Sequence, residues 1–151
     1  GCGSIGLEAL KLRPNLDLFC IDKRIGSKAL ILENSKRLGV KPKFIFEEDI
    51  NNTLNKRNLS SFEKPNRLVI GGCDKKTKLQ IINTLAQGMS IGDIIVIPII
   101  DIQTIKELKE ELEDKNFKTN LNLIQTYKSL SIAEGIRLEP NNPVFLLKGK
   151  K

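Results

Sequence analysis

The chain has no histidine and no tryptophan, a single tyrosine, and three cysteines. Without an imidazole there is no Ser-His-Asp triad, no Cys-His dyad, no HExxH site and no histidine-ligated metal. Cys2, Cys20 and Cys73 are odd in number and far apart. That spacing excludes a disulfide framework and any CxxC pair, and it fits a reducing, cytoplasmic compartment. Long hydrophobic runs are missing too. The longest, Ile94 to Ile100, is far short of the ~20 residues of a membrane span. Neither a metal nor a membrane is expected.

What is present is an excess of positive charge, +7 over 151 residues. Such a balance can signal nucleic acid or another polyanion. Here 19 lysines stand against 6 arginines, and Asn and Ile are abundant, which reads as the codon usage of an AT-rich genome. There is no run of five like charges, and the aromatics are too few to stack on bases. No nucleic-acid partner is expected. The length fits one domain, and a chain of this size buries a core without staples.

Strand and helix patterns alternate. Ile5 to Leu12 is amphipathic and stops before Pro14. Leu16 to Asp22 is an apolar run of strand length, and Ile25 to Leu38 has helical spacing ending at Gly39. Lys43 to Glu47 reads as a strand, Asn51 to Ser61 as a short helix and loop, and Arg67 to Gly71 as a buried strand. Lys76 to Gln87 carries Leu79, Ile82 and Ala86 on one face. Asp93 to Pro98 is the most β-branched stretch and predicts a central strand. Asp101 is placed to cap a helix burying Ile102, Ile105, Leu108 and Leu112. Phe117 to Tyr127 and Val144 to Lys148 are two further strands, and Lys128 to Asn142 between them reads as a long loop, functional or disordered. The alternation predicts an α/β, doubly wound, mostly parallel sheet. The last two strands have no helix between them and are expected to pair antiparallel. The opening glycine turn, Gly1-Cys2-Gly3-Ser4-Ile5-Gly6, normally follows a buried strand. The expectation is one domain over residues 1–151, cut within its glycine motif, with its first strand absent from the sequence.

Ligands of open α/β sheets bind at the carboxyl ends of the strands. Gly1, Cys2 and Gly3 fall there, where glycine lets backbone approach a ligand. Asp22 ends an apolar strand 19 residues after Gly3, close to the ~20 at which an acid accepts both ribose hydroxyls. Glu48, Asp49 and Ile50 follow the next strand and offer an adenine a polar edge and an apolar face. The residues thus point to a nucleoside-containing ligand; a dinucleotide held at a helix start stays open at this level.

The segment Leu85 to Val96 resembles the "LxPGGxLVV" passage before the fifth strand of class I methyltransferases, which implies S-adenosylmethionine as the cofactor. A narrower resemblance covers the whole chain in order. GCGSIGLEALKLRPN resembles the end of the glycine motif of the decarboxylating precorrin methyltransferases of cobalamin biosynthesis, the free CbiT-type proteins and the C-terminal half of the fused CobL-type proteins. Glu8 falls at that family's Glu. LFCIDKR resembles its second motif, FEEDI its "EGDA", RLVIGGCDKK its "AVFIGGSGG", and IRLEPNNPVFLLKGKK its C-terminal "RLxAxNPVFIIxGxK". Glu48 stands where the family has Gly, and Pro98-Ile99-Ile100 replaces "NAV" or "NTI".

The resemblance implies a Rossmann-like class I methyltransferase sheet and an enzyme that methylates C-15 of a precorrin while the C-12 acetate loses carbon dioxide. It implies Gly1, Cys2, Gly3, Asp22, Asp49, Ile50 and Gly71 as cofactor residues. Gly72 and Cys73 would line the precorrin cleft, and Arg137, with its planar fork, would clamp a precorrin carboxylate. It leaves open a fusion to, or association with, a C-5 precorrin methyltransferase, and a homo-oligomer. Two other readings stand beside it: a methyltransferase acting on RNA or protein, and a non-catalytic methyltransferase-like domain. Ile70-Gly71-Gly72-Cys73 stands against the first, since such enzymes often carry an Asn/Asp-Pro-Pro-Tyr-like motif at that place.

Overall fold

The structure is a computed structural model that describes residues 1–56 and 64–151. The chain divides into two compact units, 1–62 and 63–151. No helix among the described residues is long and apolar enough to cross a membrane.

The first unit runs α1 (Ser4–Leu12), β1 (Phe19–Ile21), α2 (Ser27–Leu38), β2 (Phe44–Phe46) and α3 (Ile50–Lys56). Strands β1 and β2 pair in parallel, with Phe19 beside Phe44 and Ile21 beside Phe46. The helix between them is the crossover that a parallel pair requires. Leu7, Leu10 and Ile31 are the buried apolar side chains that join α1 to α2. Gly39, at φ 66°, ends α2 in the left-handed turn expected of it. The expected helix and loop over 51–61 is helix as far as Lys56; residues 57–61 lie outside the described residues.

The second unit contains β3 (Arg67–Val69), α4 (Lys75–Leu85), β4 (Ile94–Ile99), α5 (Ile105–Asp114), β5 (Lys118–Ile124), β6 (Tyr127–Ile132), β7 (Gly135–Pro140) and β8 (Val144–Lys150). Four strands form one sheet in the order β3-β4-β8-β5. The β3–β4 pair is parallel, and β8 pairs antiparallel with both β4 and β5. The expected antiparallel final pair is therefore present. Ile95, Ile97 and Ile99 alternate inward from β4 and are buried with Ile82, Leu108, Leu112, Phe117 and Leu147. Gly149 permits this packing: a Cβ there would stand 3.3 Å from both Leu112 and Phe117. Pro98 lies past the β3 register, where β4 has, among the described residues, only β8 beside it, a place that tolerates a residue without an N–H.

Three expectations need correction. The strand expected to be buried, β3, has Arg67 and Val69 exposed and Leu68 half-buried. The stretch 128–142 is not an irregular loop. It is mostly a two-stranded hairpin, β6 against β7, with Leu130 opposite Arg137 and Ile132 opposite Gly135. Alternation in YKSLSI and GIRLEP satisfies a strand period, and Ala133 at φ 45° makes the turn. The helix capped by Asp101 also begins differently. Asp101 closes a 3-10 turn, Ile102–Thr104, through Gln103 N–H at 3.0 Å. Ile102 is consequently exposed rather than buried, and the α-helical face starts with Ile105.

Candidate functional site

Three chain segments meet at the carboxyl ends of β1 and β2 in the first unit. The first is the glycine turn ahead of α1. Gly3 has φ 78°, a conformation that a side chain resists. A Cβ there would press to 3.1 Å of Ile31 Cγ1 and 3.3 Å of Leu7. Glycine is thus required both by dihedral and by space. Asn34 of α2 donates to the Cys2 carbonyl at 3.1 Å and fixes the turn against that helix.

The second segment is Asp22 and the loop after it. Asp22 N–H donates to the Phe46 carbonyl at 3.0 Å, so the residue continues the β1–β2 ladder by one rung. Its side chain is only 15% exposed. Its Oδ1 accepts from Arg24 N–H at 2.9 Å and Arg24 Nε at 3.1 Å, and its Oδ2 from Arg24 Nη2 at 3.0 Å. The main-chain nitrogen of Gly1 also stands against Oδ2. Gly1 and Asp22, picked from sequence as parts of one site, are in direct contact.

The third segment is Glu47-Glu48-Asp49 after β2. Asp49 Oδ1 accepts from Asn51 N–H at 2.9 Å, which opens α3. Lys23 Nζ lies 3.8 Å from Asp49 Oδ2, linking the loop after β1 to the loop after β2. Asp49 and Ile50 are half-buried. Glu47 reaches the start of α2, where its carboxylate accepts from Lys28 N–H at 2.9 Å. That bond, ahead of those from Gly26 and Ser27, holds the Glu47 carboxyl below its ordinary range. Glu48 accepts from the buried Thr53 hydroxyl at 3.0 Å. Among the described residues, Asn51 Oδ1 is the buried side-chain oxygen left without a donor.

The thiols differ. Cys20, in the middle of β1, is half-buried, and burial pushes its thiol up. Hydrogen bonds from Ser4, the main-chain one foremost, pull Cys2 down.

The remaining expected residues lie in the second unit. Gly71 and Gly72 follow β3, are exposed, and a Cβ on either would meet nothing within 4 Å. Gly72 has φ 70°. Cys73 is half-buried, and its carbonyl accepts from Lys78 Nζ. Asp74 then caps α4, accepting Thr77 N–H at 2.9 Å and Thr77 Oγ1 at 2.9 Å. Arg137 lies on β7 and is exposed. Sequence reasoning missed Arg24, Lys23, Glu47 and Asn34. The only signal for Arg24 was its place two residues after Asp22.

The sequence model of a family described as the precorrin methyltransferase domain matches residues 1–151. A protein of Methanosarcina mazei, named probable cobalt-precorrin-6B C(15)-methyltransferase (decarboxylating), is 23% identical over 151 residues, which is 100% of this chain and 79% of that one. A solved structure from Geobacter metallireducens, precorrin-6y C5,15-methyltransferase, superposes with a TM-score of 0.81 at 22% identity, covering 100% of this chain and 77% of that one. A second, precorrin 8w decarboxylase from Methanobacterium thermoautotrophicum, gives a TM-score of 0.79 at 22% identity with 100% and 77% coverage. The expected Rossmann-like class I methyltransferase fold is the fold that these structures share with the chain.

Proposed function

Because the chain belongs to the precorrin methyltransferase domain family, we propose that it transfers the methyl group of S-adenosylmethionine to C-15 of a precorrin, with loss of carbon dioxide from the C-12 acetate. The observation that carries this reading is the match of that family over every residue from 1 to 151. The site supports it. S-adenosylmethionine would supply a methyl group already activated on a sulfonium, so no histidine is needed for the transfer. The protein's part is placement and exclusion of water, which can contribute ~7–11 kcal/mol.

The first unit fits a nucleoside. Asp22 has two carboxylate oxygens at the end of β1 for the ribose hydroxyls. Gly1, Cys2 and Gly3 bring bare backbone to the same place. Asp49 and Ile50 supply a polar and an apolar contact for adenine, with the unpartnered Asn51 Oδ1 close by in sequence. Gly71 is proposed as a further cofactor contact. Gly72 and Cys73 are proposed to line the precorrin cleft, and Arg137 to pair with one of the macrocycle's carboxylates.

Charged-acceptor hydrogen bonds are worth ~1.5–3 kcal/mol each. Asp22→Ala should therefore weaken S-adenosylmethionine binding at least ~10-fold in a calorimetric titration; an unchanged affinity refutes the ribose assignment. Incubation with the cofactor and a precorrin should yield a product one methyl heavier and one carbon dioxide lighter by mass spectrometry. Methylation of RNA or protein in its place would favour the other enzyme reading. Arg137→Lys should raise KM for the precorrin and spare cofactor affinity, since lysine lacks the fork; equal turnover at subsaturating precorrin counts against the clamp.

A further inference from the structure

Asp22 is not waiting with free oxygens. An ionised carboxylate has about four acceptor positions; Arg24 takes three of them, and the Gly1 nitrogen stands against Oδ2 as well. One bond comes from the Arg24 main chain to Oδ1 at 2.9 Å. The other two come from the guanidinium, Nε to Oδ1 at 3.1 Å and Nη2 to Oδ2 at 3.0 Å. That fork places one donor on each carboxylate oxygen, the same pattern that the two hydroxyls of a ribose would present. The guanidinium also fills the space beside Gly1, where a Cβ would come within 2.8 Å of Nη2.

We propose that Arg24 is a built-in competitor for the nucleoside: its side chain occupies the ribose-accepting edge of Asp22 and must swing out for the cofactor to bind. The inference rests on the ribose reading of Asp22 given above. The two kinds of bond from Arg24 have different fates. The main-chain N–H keeps its bond to Oδ1 and holds the carboxylate in orientation. The side chain is 67% exposed, so it can leave for water without vacating a buried position. The pair has its arginine end in solvent and its carboxylate end only 15% exposed, so the fork holds Asp22 against loose or partial ribose binding yet has water to move into when a ligand displaces it. Arg24 is thereby a positioning residue acting through Asp22.

The test is a double-mutant cycle read by calorimetry with S-adenosylhomocysteine, using the wild type, Arg24→Ala, Arg24→Lys, Asp22→Ala and the Asp22→Ala/Arg24→Ala pair. Arg24→Ala should tighten binding at least about threefold, since a bidentate Arg–carboxylate fork is stronger than an ordinary surface pair. Arg24→Lys should fall between, because lysine cannot engage both oxygens as a fork. In the Asp22→Ala background the Arg24 substitution should change nothing. The Arg24 Nε–H resonance should lose its hydrogen-bonded shift when the ligand saturates. If Asp22→Ala weakens binding while Arg24→Ala leaves it equal or weaker, the competition idea is overturned and the ribose reading survives. If Asp22→Ala leaves affinity unchanged, both fall.

Discussion

Glu47 fastens the end of β2 to the start of α2 through the Lys28 main-chain bond at 2.9 Å. Its folded carboxyl is held below the ordinary value. A depressed carboxyl contributes stability that is complete above the unfolded-state pKa, ~4.3, and is lost as pH falls through the folded value. Glu47→Gln should accordingly lower Tm near neutral pH, and the gap to the wild type should narrow progressively as pH falls below the unfolded-state value of ~4.3. A gap that stays constant as the pH falls would mean that the carboxylate charge is not the cause. Asp22 could be found in the sequence because a strand end and a fixed interval to a glycine turn are both local patterns. Glu47 could not. Its partner lies 19 residues away in sequence, and nothing in either segment names the other until the β1–β2 register brings them together.

Elements were legible where period and terminator agreed. Helix α2 has both its apolar spacing and its terminal Gly39. The β6–β7 hairpin lacked the second signal. Its strands alternate, but the turn is made by Ala133 at φ 45°, not by the Asn-Gly or Asp-Gly that marks such turns. Helix α5 shows a related device at its end. Asn116 stands at φ 64°, its N–H donating to the Glu113 carbonyl at 2.9 Å while Phe117 N–H turns back to Leu112 at 3.0 Å. The turn thereby delivers the buried Phe117 to the core. Left-handed backbone costs ~1–2 kcal/mol for a residue with an ordinary Cβ and little for glycine. Asn116→Val should destabilise the protein by about that amount in chemical denaturation, and Asn116→Gly should be near neutral. Equal losses for both would locate the effect in the Asn side chain.

Across the whole molecule, strand–helix alternation announced the fold class, and the missing crossover helix announced an antiparallel end. The partner of β8 on its other side, β4, was not legible, because strand order depends on pairing between distant segments. The net charge of +7 also acts at this scale. A precorrin carries many carboxylates, and attraction between exposed charges fades as salt shortens the Debye length from ~10 Å at 0.1 M to ~3 Å at 1 M. KM for the precorrin should rise steeply between these salt concentrations, with a much smaller change in cofactor affinity. A KM independent of salt would remove any role for the excess of lysine in holding substrate. The place of β8 has another consequence. It is a wedge, seated between β4 and β5 although those two strands precede it in the chain with α5 between them. Its ladder ties Ile94 to Lys150, a long loop to close, and loop closure must come before such distant contacts bring any reward. The β6–β7 hairpin joins near neighbours and can form early. The four-stranded sheet cannot close between β4 and β5 until β8 arrives, so substitutions that weaken the β8 ladder should slow refolding in stopped-flow measurements more than substitutions in the β6–β7 hairpin.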